Sequence, residues 1–192
     1  MNEWKQRLTD RLEPALRQPD PRPHVSAYHD MPYAIFRYPP EDEFALRREV
    51  GLLRTRLEQA GKRVTVISLA ECLQDALAAE GLGPEALAAA ERSVGLAPTI
   101  ETVAQVLSDY QPLDDLVAAC IPPDADPLRD VAFIVRAGAL FPVYRTSSLL
   151  EQLKGKVRVP AVLFYPGESD GAAGLRFMGV LDAEHNYRPR IF

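Results

Sequence analysis

Residues Val131-Ala-Phe-Ile-Val135 carry no polar side chain and lie between Asp130 and Arg136. A short apolar run rich in β-branched residues fits a strand rather than a helix. Successive strand side chains point to opposite faces, so a uniformly apolar strand needs cover on both sides. A core strand of a layered α/β protein answers that demand.

The neighbouring segments supply matching parts. Tyr33–Tyr38 is aromatic and β-branched and reads as a first strand, and Arg63–Ile67 as a second. Between them, Pro39-Pro40-Glu-Asp-Glu43 has the proline and acids of a helix first turn. Leu46, Val50, Leu53, Leu57 and Ala60 then recur at helical spacing up to a stop at Gly61. Ser68-Leu-Ala-Glu71 is a capping box that opens a helix over residues 69–80. Short links in β–α–β–α order predict parallel strands with crossover helices. Residues 84–119 are rich in alanine and leucine, with helix-start prolines at Pro84, Pro98 and Pro112. They predict a helical insert. After the strand at 131–135, Ser148-Leu-Leu-Glu151 reads as a second capping box, and Ala161–Tyr165 as a fourth strand. Pro166-Gly167 reads as a turn, and Leu175–Met178 as an antiparallel fifth strand.

The ends are distinct. Trp4, Leu8, Leu12 and Leu16 are spaced four apart, which predicts an amphipathic N-terminal helix over 1–18. The prolines at 19, 21 and 23 end it, and residues 19–32 read as an extended connector. The tail 187–192 is expected to dock as an edge segment. The expected architecture is one α/β domain. It has three layers and an open, mostly parallel sheet of about four or five strands, a size usual for such sheets.

Composition narrows the function. The 192 residues are 47% hydrophobic, enough for a sizeable core without disulfide support. Cys72 and Cys120 lie in apolar helical contexts and read as two buried thiols, which favours a reducing compartment. No run is long and apolar enough to span a membrane, and the N-terminus lacks a signal-peptide core, so a cytoplasmic protein is expected. The net charge of −5 is not that of a nucleic-acid binder.

Motifs that would carry chemistry are incomplete. Gly81-Leu-Gly-Pro-Glu-Ala86 matches a dinucleotide pattern, but a helix rather than a strand enters it. Gly61-Lys62 and Gly155-Lys156 lack the serine or threonine and the upstream glycine of a phosphate loop. They read as helix-stop glycines followed by solvent-facing lysines. Gly167-Glu-Ser-Asp-Gly171, with Asp182 and His185 downstream, has the order of a serine-hydrolase triad around Ser169. The segment after the motif is strand-like, whereas the elbow requires a helix. His24 and His29 lie in the connector without helical pairing, and His185 stands apart. No metal site is expected from them, and Asp124 and Asp126 read as loop residues. Arg136, Tyr144 and Arg145 gather at the carboxyl end of the third strand, where open α/β sheets bind ligands. Arg176, Arg188 and Arg190 form a basic cluster that offers an alternative, nucleic-acid contact.

Gly138-Ala-Leu-Phe-Pro-Val-Tyr-Arg-Thr-Ser-Ser-Leu-Leu150 and Val162-Leu-Phe-Tyr-Pro-Gly167 are the most specific stretches. With Tyr33–Tyr38 and Arg63–Leu73 they resemble the BrxB family of BREX phage-defence systems. The resemblance runs from about Tyr28 to Phe192 and is least specific in the insert. It implies a small cytoplasmic adaptor working beside a methyltransferase, a large ATPase and a PglZ phosphatase-like protein. The PglZ-like protein is its expected partner, DNA is met only through the complex, and neither cofactor nor catalytic residue is implied. Aromatic and arginine side chains dominate interface energetics. Phe141, Tyr144, Arg145, Tyr165 and Arg136 are therefore the expected contact residues.

Overall fold

The computed structural model describes residues 2–26, 31–171, 174–184 and 189–192. Its strands are β1 (Tyr33–Tyr38), β2 (Arg63–Ser68), β3 (Asp130–Val135), β4 (Ala161–Asp170), β5 (Gly174–Phe177) and β6 (Arg190–Ile191). They form one sheet in the order β2-β3-β4-β1-β6, all parallel, with β5 antiparallel to the distal half of β4. The register runs from Tyr33 opposite Ala161 to Tyr38 opposite Pro166. The fold is thus the mostly parallel, open α/β sheet that the sequence predicts.

Helices cover both faces. On one lie α1, built of Glu3–Arg7, Leu8–Leu12 and Glu13–Leu16, and α3 (Glu43–Gln59). On the other lie α4 (Leu69–Ala79), α6 (Leu96–Gln105, extended by Val106–Tyr110), α7 (Leu113–Ala119) and α8 (Thr146–Gln152). The remaining helices are the short α2 (Arg22–Val25) and α5 (Pro84–Val94). Alternation along the strands separates two cores. Ala34, Phe36, Phe133, Val162 and Phe164 meet Leu8, Leu12, Leu16, Leu46, Leu53 and Leu57 on the first face. Ile35, Ile67, Ile134 and Leu163 meet Leu69, Leu107, Leu113 and Leu149 on the second. Each fully buried leucine contributes roughly 1.5–3 kcal/mol.

Helix α1 explains its own sequence spacing. A strict step of four drifts by about 40° per step on an α-helix of 3.6 residues per turn. The middle segment Leu8–Leu12 is a π-helix, whose wider i→i+5 turn rotates less per residue and counteracts that drift. Trp4, Leu8, Leu12 and Leu16 are all buried as a result.

Several local expectations require correction. The connector 19–32 is not simply extended, because it holds the single turn of α2 behind Pro21. The helix α8 starts at Thr146, so Ser148 lies inside it and caps nothing. Pro166-Gly167 is not a turn: β4 continues through it. There the strand leaves its pairing with β1 and bends toward β5, with the Pro166 carbonyl accepting from the Met178 amide at 2.9 Å. Gly167 is obligatory at the bend, since a Cβ would lie 2.4 Å from the Arg176 carbonyl oxygen and 2.5 Å from the Tyr165 ring. Lys62 is buried rather than solvent-facing, and its Nζ donates to the carbonyls of Gln18 and Leu128. Lys156 is exposed as expected, and it pairs with Asp114 and Asp115. Cys72 is buried but Cys120 is exposed.

Candidate functional site

Because the strands of the order β2-β3-β4-β1-β6 are parallel, their carboxyl ends share one edge. The chain leaves β1 toward β2 beneath α3 on one face, and leaves β3 toward β4 beneath α8 on the other. Connections that part to opposite faces open a crevice at the strand ends. A cleft sits there. Pro40, Glu43 and Arg47 form one wall, Arg136, Gly138 and Ala139 the other, with Pro166 and Met178 between. A second groove continues from Arg136 along α3 and β2. It is lined by Leu46, Val50, Gly51, Val66 and Val135, and edged by Arg47, Arg54 and Glu71.

Two features mark this edge. Arg136 has φ 60° and ψ 37°, and Met178 has φ 55°, the left-handed region that L side chains avoid. Among the described residues they are the non-glycine positions with positive φ, and both line the same cleft. Such strain costs on the order of 1–3 kcal/mol and collects at functional sites. In addition, the Nε of Arg136 is buried without a hydrogen-bond partner, and no acid pairs with Arg136 among the described residues. A buried donor left unmade costs about 1–3 kcal/mol. The neighbouring charges are already engaged. Glu43 accepts from the Tyr38 hydroxyl and from Arg47, whose Nε lies 2.8 Å away. Burial, then the Glu43 carboxylate, raises the Tyr38 phenol well above its ordinary range. Arg54 is bound to Glu58 at 2.8 Å. The exposed ring of Phe44 stands beside Arg47, 5.2 Å from its guanidinium. The Ser68 hydroxyl accepts from the Glu71 amide at 3.3 Å, the cap expected for α4.

The contact residues expected from sequence are scattered in character. Tyr165 is fully buried against Phe177, with ring centroids 5.3 Å apart. Tyr144 lies in the same core, and its hydroxyl donates to Gln152 at 2.6 Å. Both rings fill the interior instead of standing on a surface. Phe141 is half-buried, 6.2 Å from the Phe177 ring. Arg145 is exposed and pairs with Glu184 at 3.0 Å. Arg136 alone of the five enters the cleft. The residues that sequence reasoning overlooked, Arg47, Phe44, Val66 and Met178, come from elements distant in the chain. The proline-led start of α3 was the available signal for the first two.

The other patterns resolve locally. Ser169 is an exposed residue within β4, paired with Leu175 of β5. No strand-to-helix elbow forms around it, because β4 continues to Asp170 and β5 begins at Gly174. His29, His185 and Arg188 lie outside the described residues. Among the described residues no group of three or more histidines, cysteines and acids is arranged to hold a metal ion. Asp126 accepts from the Leu128 amide at 2.9 Å, a loop role. Gly81 and Gly83 join α4 to α5. Arg176 lies 3.9 Å from Asp170. Arg190 donates to the His24 carbonyl and covers the Phe192 ring. No helix among the described residues is long and apolar enough to cross a membrane.

Comparison with known proteins adds a lineage. A family model described as BREX protein BrxB matches residues 65–191. A curated protein named BREX protein BrxB, from Bacillus cereus (strain H3081.97), is 25% identical over 187 residues, covering 95% of each chain. No solved structure matches the chain.

Proposed function

The chain belongs to the BrxB family of BREX proteins, and from that premise we propose that it is a non-catalytic adaptor of the defence system. In this reading it binds another BREX protein, with a PglZ-like phosphatase-fold protein the first candidate, and works in the cytoplasm. DNA is met only through the assembled complex.

The observation that carries this reading is Arg136. It stands at the end of a fully covered strand, in a strained backbone conformation, with a buried donor unspent. Strain and an unmade hydrogen bond both disfavour the free chain. A partner carboxylate or other acceptor would recover part of that cost through a charge-assisted bond. Among the described residues the groups beside Arg136 are already bonded: the Ser68 hydroxyl accepts from the Glu71 amide, and Glu43 accepts from the Tyr38 hydroxyl and from Arg47. The arrangement offers grip.

The test separates folding from binding. Glycine adopts positive φ freely, so Arg136→Gly keeps the backbone and removes the guanidinium. The variant is expected to hold or raise its thermal midpoint, while its co-purification with BREX proteins from cells carrying the whole operon falls at least tenfold. Undiminished capture of the same proteins by Arg136→Gly would refute the role of this cleft. Absence of any BREX protein in the wild-type capture would refute the adaptor reading itself.

A further inference from the structure

We propose that the free edge of β2 accepts an extended, acidic segment of a partner protein as an added strand, with a guest carboxylate bound by Arg136. The proposal rests on the adaptor reading and names the partner chemistry for it.

Three observations meet along this edge. First, β2 ends the sheet order, so one side of its backbone faces no strand among the described residues. The Arg63 amide donates to Arg129 at 2.8 Å, toward β3. Strand alternation then sends the amides and carbonyls of Thr65 and Ile67 the same way, and those of Val64 and Val66 outward. Second, α3 leaves β2 partly bare. Val66 is 41% exposed, whereas Val64 on the same strand face is buried. The groove between them is lined by Leu46, Val50, Gly51 and Val135. Gly51 has nothing within 4 Å of where a Cβ would sit, so the helix wall is open there. Third, the groove ends at Arg136, whose Nε is buried and unpartnered.

These features specify the guest. An added strand would bond to the outward groups of Val64 and Val66, as in β-strand addition elsewhere. Its side chains alternate, so an apolar one falls over Val66 and covers it against Val50. A neighbouring carboxylate reaches past the carboxyl end of β2 to Arg136, which follows the adjacent β3 and lines the same groove as Val66. Of the arginines along the groove, Arg47 and Arg54 are paired with Glu43 and Glu58, and Arg136 has no acid partner among the described residues. That guanidinium selects a guest carboxylate. The edge lacks the lysine or proline that usually guards a free strand, Arg63 at its start being tied to Asp130.

The experiment is amide hydrogen exchange on the full chain, alone and in the complex captured from cells carrying the whole operon. It is repeated for Val66→Lys, which guards the edge, and for Arg136→Gly. The expected result is at least tenfold slower exchange at Val64 and Val66 in the complex, with capture weakened at least tenfold in both variants. A complex captured in full whose β2 amides exchange as in the free chain overturns strand addition and leaves the adaptor reading standing. Failure to capture any BREX protein overturns both. Protection of Val64 and Val66 in the isolated chain that rises with its concentration would assign the edge to a second copy and overturn the acidic guest.

Discussion

Cys72 and Cys120 show how much environment adds to residue type. Both belong to apolar helical stretches, yet Cys72 is buried and Cys120 is exposed. Burial, and then the neighbouring Cys120, push the Cys72 thiol up to about 12. The thiolate is the species that alkylates, so iodoacetamide at pH 8 should modify Cys120 alone in the native protein, and both in denaturant. Intact-mass measurement checks this, and two native adducts would contradict it. Two glycines make a similar pair. Gly167→Ala drives a methyl into the Arg176 carbonyl and the Tyr165 ring, and should lower stability by about 1–3 kcal/mol. Gly51 lies exposed in α3 with open space around it, and Gly51→Ala should raise stability by about 1 kcal/mol. Urea unfolding of the two variants should move in opposite directions.

The elements that could be read from sequence are those with local causes. β3 is written in five apolar residues, α3 in its proline-led start and helical spacing, and α4 in a serine cap whose bond is present. The features that escaped reading depend on distant partners. Nothing near Lys62 announces that its ammonium satisfies carbonyls at Gln18 and Leu128. Nothing near Pro166 announces that β1 will hold it in a strand, since a proline-glycine pair is ordinarily a turn. The cleft had the same limit: Arg136 is legible as the end of a strand, but its unspent donor reflects what fails to surround it. Glu13 is the clearest case of an element joined at long range. It is buried in α1 and accepts from Arg17, just past the end of that helix, and from Arg56 of α3, at 2.8 Å each. Burial opposes its charge, but the two guanidinium groups outweigh that and hold the carboxyl below its ordinary value of 4.5. A lowered folded pKa gives stability that is present above the unfolded value and is lost as pH falls through the folded one. Glu13→Gln should therefore cost about 1–3 kcal/mol at pH 7. The gap from wild type should begin to narrow as pH falls below 4.5 and close once the folded value is passed, as measured by urea unfolding over a descending pH series. A gap that does not narrow anywhere in the series would show that packing, not charge, holds α1 to α3.

At the scale of the molecule, one sheet is the shared wall of two cores, and the far edge from β2 is closed by the chain's own tail. Phe192 is buried against the face covered by α1 and α3. Its amide donates to Ile35 at 2.8 Å, and its carbonyl accepts from Arg37 at 3.2 Å, extending the ladder of β6 along β1. Arg7 of α1 binds the same carbonyl at 2.6 Å and that of Arg37 at 3.0 Å, while standing over the Phe36 ring. Desolvation, then the nearby Arg37 charge, lowers the Arg7 pKa, so this guanidinium is held in place at an electrostatic cost. The tail thus locks α1 through a single side chain. If the sheet insulates the two cores, removing the tail should loosen one and spare the other. Phe192→Ala deletes a buried ring, a loss of about 3–5 kcal/mol when such a site cannot collapse. Amides of α1 should then exchange at least tenfold faster, while those of α4 and α7, packed on the opposite face, keep their wild-type protection. Equal loss of protection in α1, α4 and α7 would mean that the sheet transmits the damage and that both cores unfold as one cooperative unit.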